Sequence, residues 1–407
     1  MCRKGGYDNI FYTFFLYIIF GEGGSMKRIL LVFITIFVLF TGCSNKNDKN
    51  INLGNEDVKA QPYWNIYNQK ITASEDGYYF LKKDFENGGT YLRYIDANTM
   101  ETIYVCNKAE CKHDGIGCNA YFDNTYITTN IYYYKNYIYV LKNDESDGNV
   151  YLVKITADGN SRQKMFSLGT KNISYKLVFS NDYIYLYNRR GSISDDDTKQ
   201  TIRKISLDGK EDDVVFEFDE KGCQISAVKS YGDNLFIMIN VVGEGDKESR
   251  TMVTMSGKGV YSYNTKTKET NKVIDDKVTD FTVNIEKNTI FYYVANKGLY
   301  KKEFDKNEVK KIFNYSDKEN NYAQLSSDKQ YIYINNEFYR NMILTKSAKT
   351  YTWVIDYDGN QINKIETPGI YSTYFGDKRN TFCIHDGDVQ YISKSRINSD
   401  TEWHDIK

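Results

Sequence analysis

The chain has 407 residues, 41% hydrophobic and 15% aromatic, with 53 Lys and Arg against 54 Asp and Glu and a formal net charge of −1. That content allows a large core, and the balanced charge without a Lys/Arg block excludes the electrostatic footprint of a nucleic-acid-binding protein. With 38 Tyr against 2 Pro, the composition favours pleated, half-buried strands over helices.

Residues 1–25 carry an apolar run at 10–20 ahead of a second, complete export signal. Glu22-Gly23-Gly24-Ser25 can be encoded by a purine-rich stretch like a ribosome-binding site, so translation is expected to begin at Met26. Residues 26–42 read as a signal peptide: Met26-Lys27-Arg28 is the basic head, and 29–40 is an apolar segment of signal length rather than a bilayer span. The ending Leu39-Phe40-Thr41-Gly42-Cys43 resembles a bacterial lipobox, with Phe40 where Leu is usual. The resemblance implies a diacylglyceryl thioether on Cys43, which becomes the mature N-terminus. Residues 43–61 are then the lipidated Cys and a polar, Asn/Lys/Asp-rich tether expected to be disordered. A protein so built is expected at the extracytoplasmic face of the bacterial cell membrane, held there by its lipid.

From 62 to 407 one pattern recurs: a tyrosine- and isoleucine-rich strand, a second strand, then an Asp-Gly or Asn-Thr turn. It is seen at Tyr137-Ile138-Tyr139 up to Asp158-Gly159, and again at Tyr183-Ile184-Tyr185 up to Asp208-Gly209. It returns at Leu235, Ile290, Tyr331 and Thr381, and the first copy runs from Ile71 through Tyr78, Tyr91 and Thr102. An all-strand unit of roughly 40–60 residues marks a β-propeller blade. The fold is therefore expected to be all-β, a β-propeller of seven four-stranded blades, with six or eight as the alternatives. The second strand of each unit is apolar on both faces, as in Tyr183-Ile184-Tyr185-Leu186-Tyr187, which a strand between neighbouring layers requires. Gly243-Glu244-Gly245-Asp246-Lys247-Glu248-Ser249 reads as an excursion loop.

The sharpest local feature is a Cys-rich insertion at 106–122, placed between the first and second units. Cys106, Cys111, His113 and Cys118 follow the spacing C-x4-C-x-H-x4-C and could close a tetrahedral shell around a structural zinc. Export permits disulfides instead. Of the 7 Cys, setting aside Cys2 and Cys43 leaves an odd five, so the alternative is one pair within the cluster, with the third thiol bonded to Cys383 or left free. Either chemistry would staple a loop that has no core of its own.

The arrangement resembles a group of Gram-positive bacterial lipoproteins with TolB-like or low-density-lipoprotein-receptor-like propeller repeats and a Cys-x-Lys-x-x-Cys-Lys-His segment after the first blade. Here that segment is Cys106-Asn107-Lys108-Ala109-Glu110-Cys111-Lys112-His113. The resemblance implies a propeller anchored to the membrane and no particular activity.

Signals of chemistry are few. His385 follows Cys383 at i+2, so the two share a strand face. Asp195-Asp196-Asp197 reads as a solvated loop or an extracellular calcium site. Ser74-Glu75-Asp76-Gly77 approaches a sialidase aspartate box with its Gly one position early, and Trp64, Trp353 and Trp403 are core packing or sugar platforms. No nucleophile elbow, phosphate loop or His-Glu-x-x-His motif is present. The expected function is non-catalytic binding of a protein, peptide or glycan. The alternatives are a carbohydrate-active hydrolase or lyase on the same scaffold, and an envelope sensor or assembly factor.

Overall fold

The computed structural model describes residues 70–406 apart from 85–88, 124–129, 172, 190–198, 243–254, 295–296, 307, 315–323, 329, 336–349, 368–372, 378, 386–387 and 401. The anchor Cys43, the tether, Trp64, Asp195-Asp196-Asp197 and the loop at 243–249 lie outside the described residues.

Seven antiparallel sheets follow one another along the chain. Blade one is β1 (Ile71–Ala73), β2 (Gly77–Lys83), β3 (Thr90–Asp96), β4 (Thr102–Tyr104) and β5 (Tyr121–Phe122). Blade two is β6 (Ile131–Tyr134), β7 (Tyr137–Asp144), β8 (Asn149–Thr156) and β9 (Arg162–Thr170). Blade three is β10 (Ser174–Ser180), β11 (Tyr183–Arg189), β12 (Lys199–Ser206) and β13 (Asp212–Asp219). Blade four is β14 (Cys223–Tyr231), β15 (Asn234–Val242), β16 (Met255–Asn264) and β17 (Thr270–Ile274). Blade five is β18 (Val278–Asn284), β19 (Thr289–Val294), β20 (Gly298–Glu303) and β21 (Val309–Phe313). Blade six is β22 (Gln324–Ser327), β23 (Tyr331–Asn335), β24 (Thr350–Asp356) and β25 (Gln361–Thr367). Blade seven is β26 (Thr373–Gly376), β27 (Asn380–His385), β28 (Asp388–Ser393) and β29 (His404–Asp405). The ring has the seven blades expected from the repeat.

The two-faced apolar strands do what their pattern requires. In β11, Ile184 and Leu186 pack with Tyr139, Leu141 and Leu152 of blade two. Tyr185 and Tyr187 of the same strand pack with Ile225, Leu235 and Ile237 of blade four. Each such side chain, taken fully from water, contributes about 1.5–3 kcal/mol, and neither face could be left wet.

The first strands of adjacent blades approach one another and are tied by polar contacts. Ser230 Oγ donates to Ser180 Oγ at 2.9 Å, Tyr133 N donates to Thr72 Oγ1 at 3.1 Å, and Thr282 bonds Ser327. Two buried lysine–aspartate pairs reinforce this belt. Lys229 of β14 meets Asp280 of β18 at 3.2 Å, and Asp280 Oδ2 also accepts the Leu325 amide of β22 at 2.7 Å. One carboxylate thus joins blades four, five and six. Lys394, just after β28, reaches the Asp328 carboxylate beside β22 and so joins seven to six.

Every strand of blade seven comes from the C-terminal end of the chain, so the ring closes on blade one through side chains. Tyr78 donates its hydroxyl to Asp377 Oδ2 at 2.7 Å and sets its ring 4.4 Å from that of Phe382. Lys82 pairs with Asp388 at 3.0 Å, and Ile71, Tyr78 and Phe80 share an apolar cluster with Phe382, Ile384 and Val389.

Candidate metal centre

The Cys-rich insertion does not separate the first two blades, as its position in the sequence suggested. It interrupts the outer strand of blade one. Thr102, Ile103 and Tyr104 of β4 stand opposite Ile95, Tyr94 and Arg93 of β3, and Tyr121 and Phe122 of β5 stand opposite Tyr91 and Thr90. Leu92 bridges the gap: its carbonyl accepts the Val105 amide at 3.0 Å, and its amide donates to Ala120 O at 2.8 Å. One strand has been opened at a single residue, and residues 106–119 loop out from it. The ladder brings the ends of the loop together, so closure entropy at the base is already met by strand pairing.

Within the loop, the ligand atoms of Cys106, Cys111, His113 and Cys118 all lie within 4.8 Å of one another. His113 Nδ1 is 3.2 Å from Cys118 Sγ. The chain turns sharply to achieve this: Glu110 and His113 both adopt positive φ, at 61° and 55°. Such left-handed conformations are uncommon for residues other than glycine, so they mark a turn held by its surroundings. Ligands around a tetrahedral zinc with sulfur at about 2.3 Å sit about 3.8 Å apart, so a shift of about 1 Å would close this shell. The cluster could therefore hold a metal ion.

The electrostatics divide the thiols: Cys106 is favoured as a thiolate, and Cys118 as a thiol until a metal binds. Burial pushes the Cys118 thiol up to about 12, against the Ala120 amide, which donates to its sulfur at 3.3 Å. Burial acts upward on Cys106 too. There the backbone N–H groups of Lys108 and Asn119, with the thiols of Cys111 and Cys118, bring it below the ordinary thiol value. Backbone amides two residues after Cys106 and after Cys118 thus point at sulfur, an arrangement that stabilises negative charge on both. No disulfide joins Cys106, Cys111 and Cys118 in this structure.

The loop is braced from three sides. Behind it, Tyr91 and Ala120 are buried beside Cys118, and Tyr104 and Tyr121 each stand edge-to-face to Tyr91 at 5.3 Å. From blade two, Arg162 of β9 donates to Tyr121 O at 2.8 Å and to Asn119 O, with its guanidinium 4.0 Å from the centre of the Phe122 ring. The β8–β9 turn closes the third side: a Cβ on Gly159, whose φ is 73°, would lie 2.3 Å from Val105 O. Only glycine fits both demands. Within the loop, Lys108 Nζ donates to Gly117 O at 2.6 Å.

The structure brings Cys106, Cys111, His113 and Cys118 together. Cys383 is buried in β27 of blade seven and does not belong to the cluster. His385 ends the same strand. Trp403 donates its indole N–H to Glu366 O at 3.1 Å and packs between blades six and seven, and Trp353 packs against the apolar cluster of blades five and six. Ser74-Glu75-Asp76-Gly77 forms the tight β1–β2 turn, with the Ser74 amide donating to Gly77 O at 2.8 Å. Sequence reasoning missed Tyr104, which reads as an ordinary strand tyrosine. It also missed Arg162, which belongs to the next blade and carries no local signal.

No family model matches the chain, and no curated protein matches it. Among solved structures it is similar to a putative 6-phosphogluconolactonase from Bacteroides fragilis, at 14% identity over 83% of this chain and 95% of that one, with a TM-score of 0.49. It is also similar to the WD40 β-propeller domain of Doa1, at 11% identity over 67% and 79% of the two chains, TM-score 0.39. For the N-terminal domain of Nup159 the figures are 13%, 67% and 75%, TM-score 0.41. At these identities the likeness concerns the fold alone.

Proposed function

We propose that this chain is a lipid-anchored protein of the bacterial cell surface whose propeller binds a protein, peptide or glycan without breaking a bond, and that a structural zinc closes the insertion of blade one. The binding reading rests on what the ring's interior carboxylates do. Asp280 and Asp328 are each 1% exposed. Asp280 accepts from Lys229 Nζ and from the amides of Phe281 and Leu325, and Asp328 accepts from Tyr333 and Lys394. Both are committed to holding blades together, each matched by a lysine. An acid–base pair for glycoside cleavage needs two carboxyl groups about 5–10 Å apart facing a substrate. These two face neighbouring blades.

For the insertion, three sulfurs and one imidazole nitrogen are the donors that zinc prefers, and four protein ligands leave no position for a substrate. The anchoring reading rests on Cys43 and the signal before it.

The test is to incubate the purified full chain with envelope glycan fragments and peptides and to weigh the recovered ligands. Retained, intact ligand supports binding, and shortened ligand overturns it. Replacing Cys43 by Ala is expected to release the protein from membranes, and continued membrane retention would refute the anchor.

A further inference from the structure

The imidazole of His113 enters the cluster by its backbone-proximal nitrogen. Nδ1 faces Cys118 Sγ at 3.2 Å. Turning the ring over about Cβ–Cγ would bring Cδ2 to that place, not Nε2. The ring plane is set by Tyr104: the two rings stack with centroids 4.4 Å apart and planes 15° from parallel. Tyr104 cannot easily swing away. It ends β4 with its backbone opposite Arg93, the Arg93 guanidinium lies 4.7 Å from its ring centroid, and Tyr91 meets it edge-on at 5.3 Å.

We propose that His113 binds the metal through Nδ1 and that Tyr104 is the positioning residue that holds the imidazole for it. The proposal rests on the zinc assignment and adds the ligating atom and the residue that selects it. Nδ1 ligation puts the ring proton on Nε2, keeping His113 neutral as a ligand. An imidazole free to rotate on its turn would otherwise lose side-chain freedom when the metal binds. Stacking on a ring already fixed by the sheet removes that freedom beforehand. Outer groups that orient a metal-binding histidine typically matter by about 10–100-fold in affinity.

The chain has only 3 His, so its imidazoles can be resolved one by one. In zinc-loaded, 15N-His-labelled full chain, with His113→Asn for assignment, long-range proton–nitrogen correlation is expected to show the His113 proton on Nε2 and the metal on Nδ1. Zinc competition against a chromophoric chelator then compares Tyr104→Phe, which keeps the stack, with Tyr104→Leu, which removes it. The Phe variant is expected to bind like the native chain, and the Leu variant about tenfold or more weaker. Metal on Nε2 would overturn the proposal, as would equal affinity of the Leu and Phe variants. A native chain that takes up no zinc would overturn the zinc assignment itself and the proposal with it. The correlation experiment needs no variant at Tyr104, so the ligating atom is tested even if Tyr104→Leu does not fold.

Discussion

Replacing Lys229 by Met tests whether the buried pair at the ring's centre holds three blades together. Lys229 and Asp280 are 7% and 1% exposed, and their charged atoms are 3.2 Å apart. At that separation, and at an effective dielectric of about 20, the attraction is about 5 kcal/mol. Removing the lysine also removes the cost of burying it, but leaves Asp280 with only the Phe281 and Leu325 amides, each at 2.7 Å. Breaking a buried pair from one side typically costs about 3–5 kcal/mol. Burial already raises the Asp280 carboxyl above its ordinary value, with Lys229 opposing that shift. A carboxyl raised in the folded state favours folding below its unfolded value, and that contribution is lost as pH rises through the folded value. Without the lysine the carboxyl should rise further. The deficit of Lys229→Met is therefore expected to be largest above neutrality and to shrink as the pH falls toward about 5. Urea unfolding by near-ultraviolet circular dichroism and fluorescence at both pH values provides the assay. Adding Asp280→Asn should recover much of the loss at high pH. A Lys229→Met chain within about 1 kcal/mol of native at high pH, or an equal deficit at both, would refute the reasoning.

Three further outcomes are expected. Arg162→Met removes charged hydrogen bonds to Asn119 O and Tyr121 O. It should cost about 2 kcal/mol in urea unfolding, with hydrogen exchange rising at Tyr121 and Phe122; unchanged exchange there would argue against the brace. Tyr78→Phe removes the hydroxyl that Asp377 accepts across the closing seam. Its expected cost is about 1–2 kcal/mol, with faster exchange in β1 and β27 than in blades three and four, and uniform exchange would contradict a seam effect. If zinc closes the insertion as proposed, chelating it should speed exchange in β4 and β5, the two short pieces of the opened strand, while β14 and β15 stay protected. Exchange that did not respond to chelation would show that the strand needs no metal.

The repeat was legible because each blade's second strand must be apolar on both faces, a pattern visible without neighbours. Tyr183-Ile184-Tyr185-Leu186 shows it, and its two faces pack on blades two and four. The Asp-Gly turns were equally local, since positive φ at Gly159 and Gly209 demands that residue type. Cys106, Cys111, His113 and Cys118 were legible as a cluster because spacing alone brings them close. The site of the insertion was not. β4 has 3 residues and β5 has 2, too few for periodicity to show that they are one strand opened opposite Leu92 of β3. Arg162, Lys229 with Asp280, and Lys394 with Asp328 were hidden for another reason. Each pair or brace joins residues from different blades, and nothing in the local sequence of either partner announces the other.

The most direct test of the account is native mass spectrometry with elemental analysis of the full chain, purified without added metal, before and after thiol alkylation. The account predicts one zinc per chain, with Cys106, Cys111 and Cys118 protected from alkylation until the metal is removed. A metal-free, folded chain lighter by a pair of hydrogens would contradict it and make the staple of blade one a disulfide.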